Sequence, residues 1–272
     1  MQHKYGWKRD HADGRDFKFK RAEAPIVLPS SVDLRPKMPS VWDQLQLGSC
    51  TAHGILACDV FCEMLQNVGE IMLSRLFLYY NERDLEGTTS TDSGGEIRDG
   101  IKTLNSLGAC IETLWPYDTT QYAVKPPPVA YADALNHESV SYARIDDGDL
   151  QGLKTCLFQG FPATFGFQVF QQMESDQCAK DGMVQFPSHW DILSGSVGGH
   201  CVAAVGYDDS IQIPTGKAGW FSKQKYTTGA LLCRNSWGAS WGIAGYFWLP
   251  YDYITSSNQL SNDFWTIRKV SQ

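Results

Sequence analysis

No stretch of the 272-residue chain approaches the run of about 18 apolar residues that a membrane-spanning helix needs. Nor does its basic start lead into the apolar run of a secretory leader. On this reading the protein stays inside the cell, or its leader is absent from the sequence. Positive charge is scarce overall: 23 Lys and Arg face 30 Asp and Glu, for a net charge of -7 and a pI near 5.3. A nucleic-acid partner, which would select a concentrated basic face, is therefore not expected. The eight cysteines (50, 58, 62, 110, 156, 178, 201 and 233) include no CxxC pair, so zinc ribbons and thioredoxin-type redox motifs lack support. Cys58 and Cys62 share a helix face, where buried packing or disulfides to distant partners outweigh half a metal site. Internal repeats and low-complexity tracts are also absent. No metal, no cofactor and no membrane span are expected.

With 43% hydrophobic residues the chain can bury a sizeable core in one large domain or two modest ones. The segment from Leu28 to Pro39 reads as extended, its prolines breaking any helix. Helices are predicted from Cys50 to about Asn67, ended by Gly69, from a Ser74 cap through Arg83, and from Glu96 to Leu107. Three prolines at 126–128 make a rigid connection. Beyond them the pattern turns to strands: Val140 to Ile145, Ala163 to Gln168, Cys201 to Tyr207, Ala230 to Asn235, Tyr246 to Leu249 and Phe264 to Arg268. One capped helix, Asp149 to Gln159, interrupts them. Residues 170–195 and 208–228 read as loops. A helical half joined to a strand-rich half gives an α+β protein with a cleft between lobes, a favoured place for a ligand.

Charge is unevenly placed. Residues 1–22 carry seven Lys or Arg against three Asp, a balance of +4, which leaves -11 on the remaining 250 residues. Terminal segments are ordinarily solvated. Four aromatics in this arm (Tyr5, Trp7, Phe17 and Phe19) and its opposite charge favour docking back onto the body.

Three islands carry chemistry. In Val41–Gly54 small residues lead into Cys50 at a helix start, where the partial positive charge of the N-terminus favours thiolate. In Gly198–Tyr207, His200 stands at the entrance of an apolar strand. In Arg234–Gly242, Asn235 precedes Trp237 and Trp241 in a glycine-rich loop, able to orient an imidazole and shield its hydrogen bond. Singly each is weak. Together they give the chain order Gln44, Cys50, His200, Asn235, with His200 150 residues after Cys50.

From about Leu28 to the C-terminus the sequence resembles the papain-like cysteine peptidases of the C1 family. The Leu28–Arg35 segment is similar to the family's mature start, and Gln44 stands six residues before Cys50 as in its nucleophile motif. Ser93-Gly94-Gly95, Trp115-Pro116-Tyr117, Gly199-His200 and Asn235-Ser236-Trp237-Gly238 complete the match. The Gly6–Asp10 arm, the Gln46–Thr51 variant and Ser74–Phe77 look like a bacterial branch. The resemblance implies a two-lobe fold, with a helical lobe over about 45–140 and a β-barrel-like lobe over about 141–272 joined by 28–44. Residues 1–27 would be a propeptide-like arm, shorter than the family's usual propeptides, that partly covers the cleft as an intramolecular inhibitor.

The resemblance further implies that Cys50 is the nucleophile, held as thiolate against the His200 imidazolium, with Asn235 orienting the ring. Gln44 and the Cys50 N–H would donate to the oxyanion. Gly94 and Gly95 would hold an extended peptide, beside Gly199 and Trp237, and Ile97, Gly166 and Cys201 would wall an S2 pocket suited to hydrophobic P2 residues. The family's bridging cysteines are replaced by Leu47 and Asp92, and the tryptophan after the nucleophile by Thr51. The partner expected is a peptide or protein substrate and the chain a monomer. A catalytically silent peptide binder, an exopeptidase or a transpeptidase on the same site remain alternatives. The family's habits favour export; a cytoplasmic location stays open.

Overall fold

Apolar residues after Cys50 fall on every face of the helix they form, α1 (Cys50–Leu65), and it is buried almost throughout. A helix apolar all round belongs in an interior. The computed structural model describes residues 3–20, 27–66, 70–215 and 224–271; the predicted stop at Gly69 and arm residues 1, 2 and 21–26 lie outside these. Gly54 lets α1 lie directly on the sheet, because a Cβ there would stand 2.8 Å from Thr164 Oγ1 and 3.0 Å from Cys201 Sγ. Ser74 caps α2 (Arg75–Leu85), its hydroxyl accepting from the Phe77 N–H at 3.0 Å, a contact worth about 1 kcal/mol. α3 (Ile97–Ser106) packs on α2 and α1. The triple proline supplies the first residue of α4 (Pro128–Ala134), where a missing N–H costs nothing.

β1 (Trp7–Lys8) pairs in parallel with β3 (Gly95–Glu96), an arm strand against the start of α3. The other described strands build one sheet: β2 (Ser31–Asp33), β4 (Ser139–Ile145), β5 (Ala163–Val169), β6 (Gly198–Thr215), β7 (Lys225–Arg234), β8 (Tyr246–Pro250) and β9 (Ser261–Val270). Its order is β4-β9-β5-β6-β7-β8, with β2 added to β6, and every pairing is antiparallel. The path is open, β4 and β8 being its ends. What was expected to be barrel-like is therefore a sheet without closure. α5 (Leu150–Phe158), capped by Asp149, packs on β5 and β6.

The two expected loops are more ordered than predicted. Residues 170–195 hold a 3-10 turn, α6 (Asp176–Asp181) and α7 (His189–Ser194). The 208–228 stretch continues β6 and β7 as a long hairpin, paired from Gln212–Thr228 out to Thr215–Lys225; 216–223 lie outside the described residues. Polar side chains hid these strands, since a hairpin arm facing solvent has no apolar alternation to read. A short helix, α8 (Asp252–Thr255), precedes β9. One continuous apolar cluster runs from α1, α2 and α3 into β5, β6, β7 and β9.

The arm lies on the body. After β1 it reaches the edge of β4, where Arg144 N–H donates to Phe17 O at 2.7 Å and Phe19 N–H to Arg144 O at 2.8 Å. Basic arm residues meet body acids, as Lys8 does Glu86 at 2.7 Å and Lys18 does Asp146 at 2.5 Å. The most buried pairs run the other way. Arm residue Asp16 is gripped by Arg98 at 2.5 Å and Arg144 at 3.1 Å. Exposed pairs of the first kind contribute little, whereas breaking a buried one is costly.

Candidate active site

Cys50 is the first residue of α1, His200 the third of β6, and Asn235 follows β7 directly. Adjacency of α1 to β6, and of β6 to β7, brings all three to one end of the sheet. His200 Nε2 lies 2.8 Å from Asn235 Oδ1, and that oxygen also accepts from the Ser236 N–H at 2.9 Å. An atom already accepting a backbone N–H is the amide oxygen, so Nε2 carries the ring proton and Nδ1 the lone pair. Among the described residues Nδ1 is buried without a hydrogen-bond partner, free to take a proton. Trp237 stacks on the ring at 4.9 Å and 24°, which keeps water from the His200–Asn235 bond.

Gln44 completes the group from the loop before α1. Its Oε1 accepts from Ser236 Oγ at 2.5 Å, so its Nε2 is turned toward Leu47 O at 2.9 Å and Lys4 O at 3.0 Å. The second of these acceptors belongs to the arm. His3 stacks on Trp237 at 3.8 Å, Tyr5 meets His200 edge-on at 6.0 Å, and the Gly95 N–H donates to Gly6 O at 2.8 Å. The backbone amides of Cys201, Gly6 and Thr51 favour the charged form of the Cys50 sulfur. The arm backbone thus passes between Gly48 and Gly94: a Cβ on Gly6 would stand 1.7 Å from Gly48 O, and one on Gly94 1.9 Å from Gly6 O.

Burial acts on both members of the pair. Burial pushes the Cys50 thiol up to about 11, against those backbone donors. Burial also draws His200 down to about 4, with Asn235 opposing and His3 adding to the fall. Both shifts run against the thiolate–imidazolium pair expected from sequence.

The remaining predicted residues separate. Gly166 and Gly199 face the Trp7 indole, whose ring atoms come within 1.9 Å and 2.7 Å of Cβ positions built on them, so any larger residue would displace it. Ile97 is buried at the start of α3. The Cys201 sulfur lies 3.2 Å from Thr164 Oγ1 in the α1–sheet contact. All eight cysteines are free and buried. Asp92, at one lost disulfide position, ties the nucleophile loop to α2 by accepting from Gly48 N–H at 3.0 Å and Tyr79 O–H at 2.5 Å. Thr51, in place of tryptophan, donates to buried Glu82 at 2.5 Å. Neither Glu82 nor the arm acids Asp10 and Asp16, nor Asp263 in β9, was singled out in the sequence. An acid inside an apolar strand pattern was the available signal for Asp263.

Among the described residues no helix is long and apolar enough to cross a membrane, and no group of three or more His, Cys, Asp or Glu could hold a metal. The profile of the papain family cysteine proteases matches residues 28–261. An uncharacterized peptidase C1-like protein of Acanthamoeba polyphaga mimivirus is 39% identical, over 94% of this chain and 80% of that protein. Xylellain, a cysteine protease from Xylella fastidiosa, superposes with a TM-score of 0.83 at 37% identity, covering 99% of this chain and 98% of that one. The digestive procathepsin L 3 of Tenebrio molitor larval midgut shares the fold at a TM-score of 0.67 and 18% identity, over 94% of this chain and 74% of its own. A helix that begins at Cys50 beside an Asn-bonded histidine, together with the profile match and the shared sequence, places the chain in the papain family of cysteine peptidases.

Proposed function

We propose that the chain is an endopeptidase held latent by its own arm. Cys50 attacks the scissile carbonyl after His200 Nδ1 takes its proton, and the imidazolium then protonates the leaving amine. Water, activated by the same ring, cleaves the thioester. Asn235 fixes the ring, and Gln44 Nε2 with the Cys50 N–H stabilises the oxyanion. One observation supports this most: a peptide carbonyl, Lys4 O, already sits on Gln44 Nε2 while the next residues lie against Cys50 and Gly95.

The arm's direction supports latency. A substrate would place P1 at Gln44 and the preceding P2 residue near Gly95, whereas the arm puts Lys4 at Gln44 and the later residues Gly6 and Trp7 there. Its polarity is the reverse, so the Tyr5 amide nitrogen is not placed where His200 would deliver a proton to a leaving group. Glycine-lined walls at 166 and 199, filled by an indole, support a hydrophobic P2 residue.

The test is labelling with an epoxide thiol inhibitor followed by mass spectrometry, with cleavage of peptides bearing Leu, Phe or Trp at P2. A single adduct on Cys50, and loss of both adduct and cleavage in Cys50→Ala, are expected. A chain freed of its arm that neither labels nor cleaves would establish a silent peptide binder instead.

A further inference from the structure

His53 is buried in α1 one turn after Cys50, and the steps described above give it no part. Its Nδ1 lies 2.9 Å from Ser49 O. A carbonyl only accepts, so Nδ1 carries the ring proton and Nε2 the lone pair. Burial above all, then Arg75, with Arg234 and His200 adding, draws His53 down to about 3 against the Ser49 bond, which leaves the ring neutral. A small cavity of about 10 Å³ is lined by His53 together with Trp42, Cys201, Arg234 and Asn235; His200 and Cys50 are not among its walls. Three polar atoms of these lining residues are buried without a hydrogen-bond partner among the described residues: Trp42 Nε1, His53 Nε2 and Asn235 Nδ2. Two are donors and one is an acceptor. The Trp42 ring is held in place, with the Arg75 and Arg234 guanidiniums over it at 5.1 and 4.8 Å and His53 edge-on at 6.4 Å. Buried polar groups find partners in protein or in ordered water, and the space is about what the centre of one water needs.

We propose that His53 is a positioning residue for the catalytic asparagine, acting through one water held in this cavity. The water accepts from Asn235 Nδ2–H and Trp42 Nε1–H and donates to His53 Nε2, three bonds being usual for a buried water. The inference rests on the peptidase reading. At its other end the Asn235 amide accepts from His200 and from the Ser236 N–H through Oδ1. Holding Nδ2 as well fixes the tilt of the amide, so that Oδ1 stays in line with the imidazole N–H. With a hydrocarbon at position 53 the water would meet two donors and no acceptor among these groups, and Asn235 would lose that hold.

The experiment measures kcat, KM and the pH profile of kcat/KM on one fluorogenic peptide in the full chain, per active site counted by epoxide labelling. His53→Phe keeps a ring of similar size and removes the acceptor. It should lower kcat by about tenfold or more with KM little changed. Because the Asn235 bond raises the pKa of His200, the alkaline limb of the profile should move to lower pH. His53→Gln carries an amide oxygen to the place of Nε2 and gives up the Ser49 bond; it should restore most of the rate. Added to Asn235→Ala, His53→Phe should cost nothing more, since the residue it acts through is gone. An unchanged kcat and alkaline limb in His53→Phe, a loss that His53→Gln does not restore, or a full further loss on Asn235→Ala would overturn the proposal and leave a peptidase. No label and no cleavage by the unsubstituted chain, with its arm docked or removed, would overturn the peptidase reading and this inference together. If His53→Phe does not fold, His53→Asn takes its place: its amide reaches Ser49 O and stops short of the cavity, so the same loss is expected, and an undiminished rate would overturn the proposal.

Discussion

Gly6 is the residue at which the proposed latency can be tested, because its backbone runs between two other glycines with no room for a methyl group. Forcing a side chain into a packed contact costs about 1–3 kcal/mol, which shifts the arm's docking equilibrium about five- to a hundred-and-fifty-fold. Gly6→Ala should raise peptidase activity by that order while leaving the body's fold intact; unchanged activity would mean that the arm does not gate the cleft. The Cys50 thiol gives a second measure. Covered, it is held up to about 11 with His200 down near 4, so alkylation by iodoacetamide in the full chain should stay slow until strongly alkaline pH. In Gly6→Ala, where water reaches the pair and an ion pair forms, alkylation should already be fast near neutral pH. Cys50, His200, Asn235 and Gln44 were legible in the sequence because each sits in a short motif whose spacing is tied to its chemistry. Asp263 and Asp10 were not, since their roles depend on contacts across more than 250 positions, which no local pattern records. Thiolate was expected from the helix start and from the family resemblance; burial acts against it.

At the scale of elements, α1, α2, α3 and most of the sheet were readable from period and caps, while β1 was not. Two residues paired to β3 leave no periodicity. What holds β1 in place is the cluster behind it. Asp10 accepts from the Arg98 N–H at 3.0 Å and the Trp265 indole at 2.9 Å, and Asp16 accepts from the Arg98 and Arg144 guanidiniums. The two acids respond oppositely to pH. Burial, reinforced by Asp10, pushes Asp263 up to about 7, so docking takes up a proton and weakens as pH rises through that value. Burial acts upward on Asp16 too, but Arg98 and Arg144 outweigh it and the net shift is downward. The docking contributed by Asp16 is therefore present above the ordinary carboxylate range and lost as pH falls through its lowered value. The arm should be most protected from an added protease at mildly acidic pH, and cut faster on both sides of that window. Protection that grows steadily toward alkaline pH would contradict the assignment.

For the whole molecule, the imbalance of +4 against -11 pointed to an arm drawn onto the body and did not indicate its anchors. The tightest grips use the arm's few acids on the body's arginines. Removing the arm strips Asp10 and Asp16 from buried arginines and uncovers Tyr5 and Trp7 contacts with the core, so the thermal midpoint should fall by about 5 °C or more. An unchanged midpoint would mean that the network contributes nothing net. The parallel pairing of β1 with β3 also bears on kinetics. A backbone that lies reversed in the cleft is not presented for cutting there while docked. We expect removal of the arm to be done by a second copy, so that half-times shorten as protein concentration rises and lengthen on dilution, whereas self-excision would proceed at the same pace in either case.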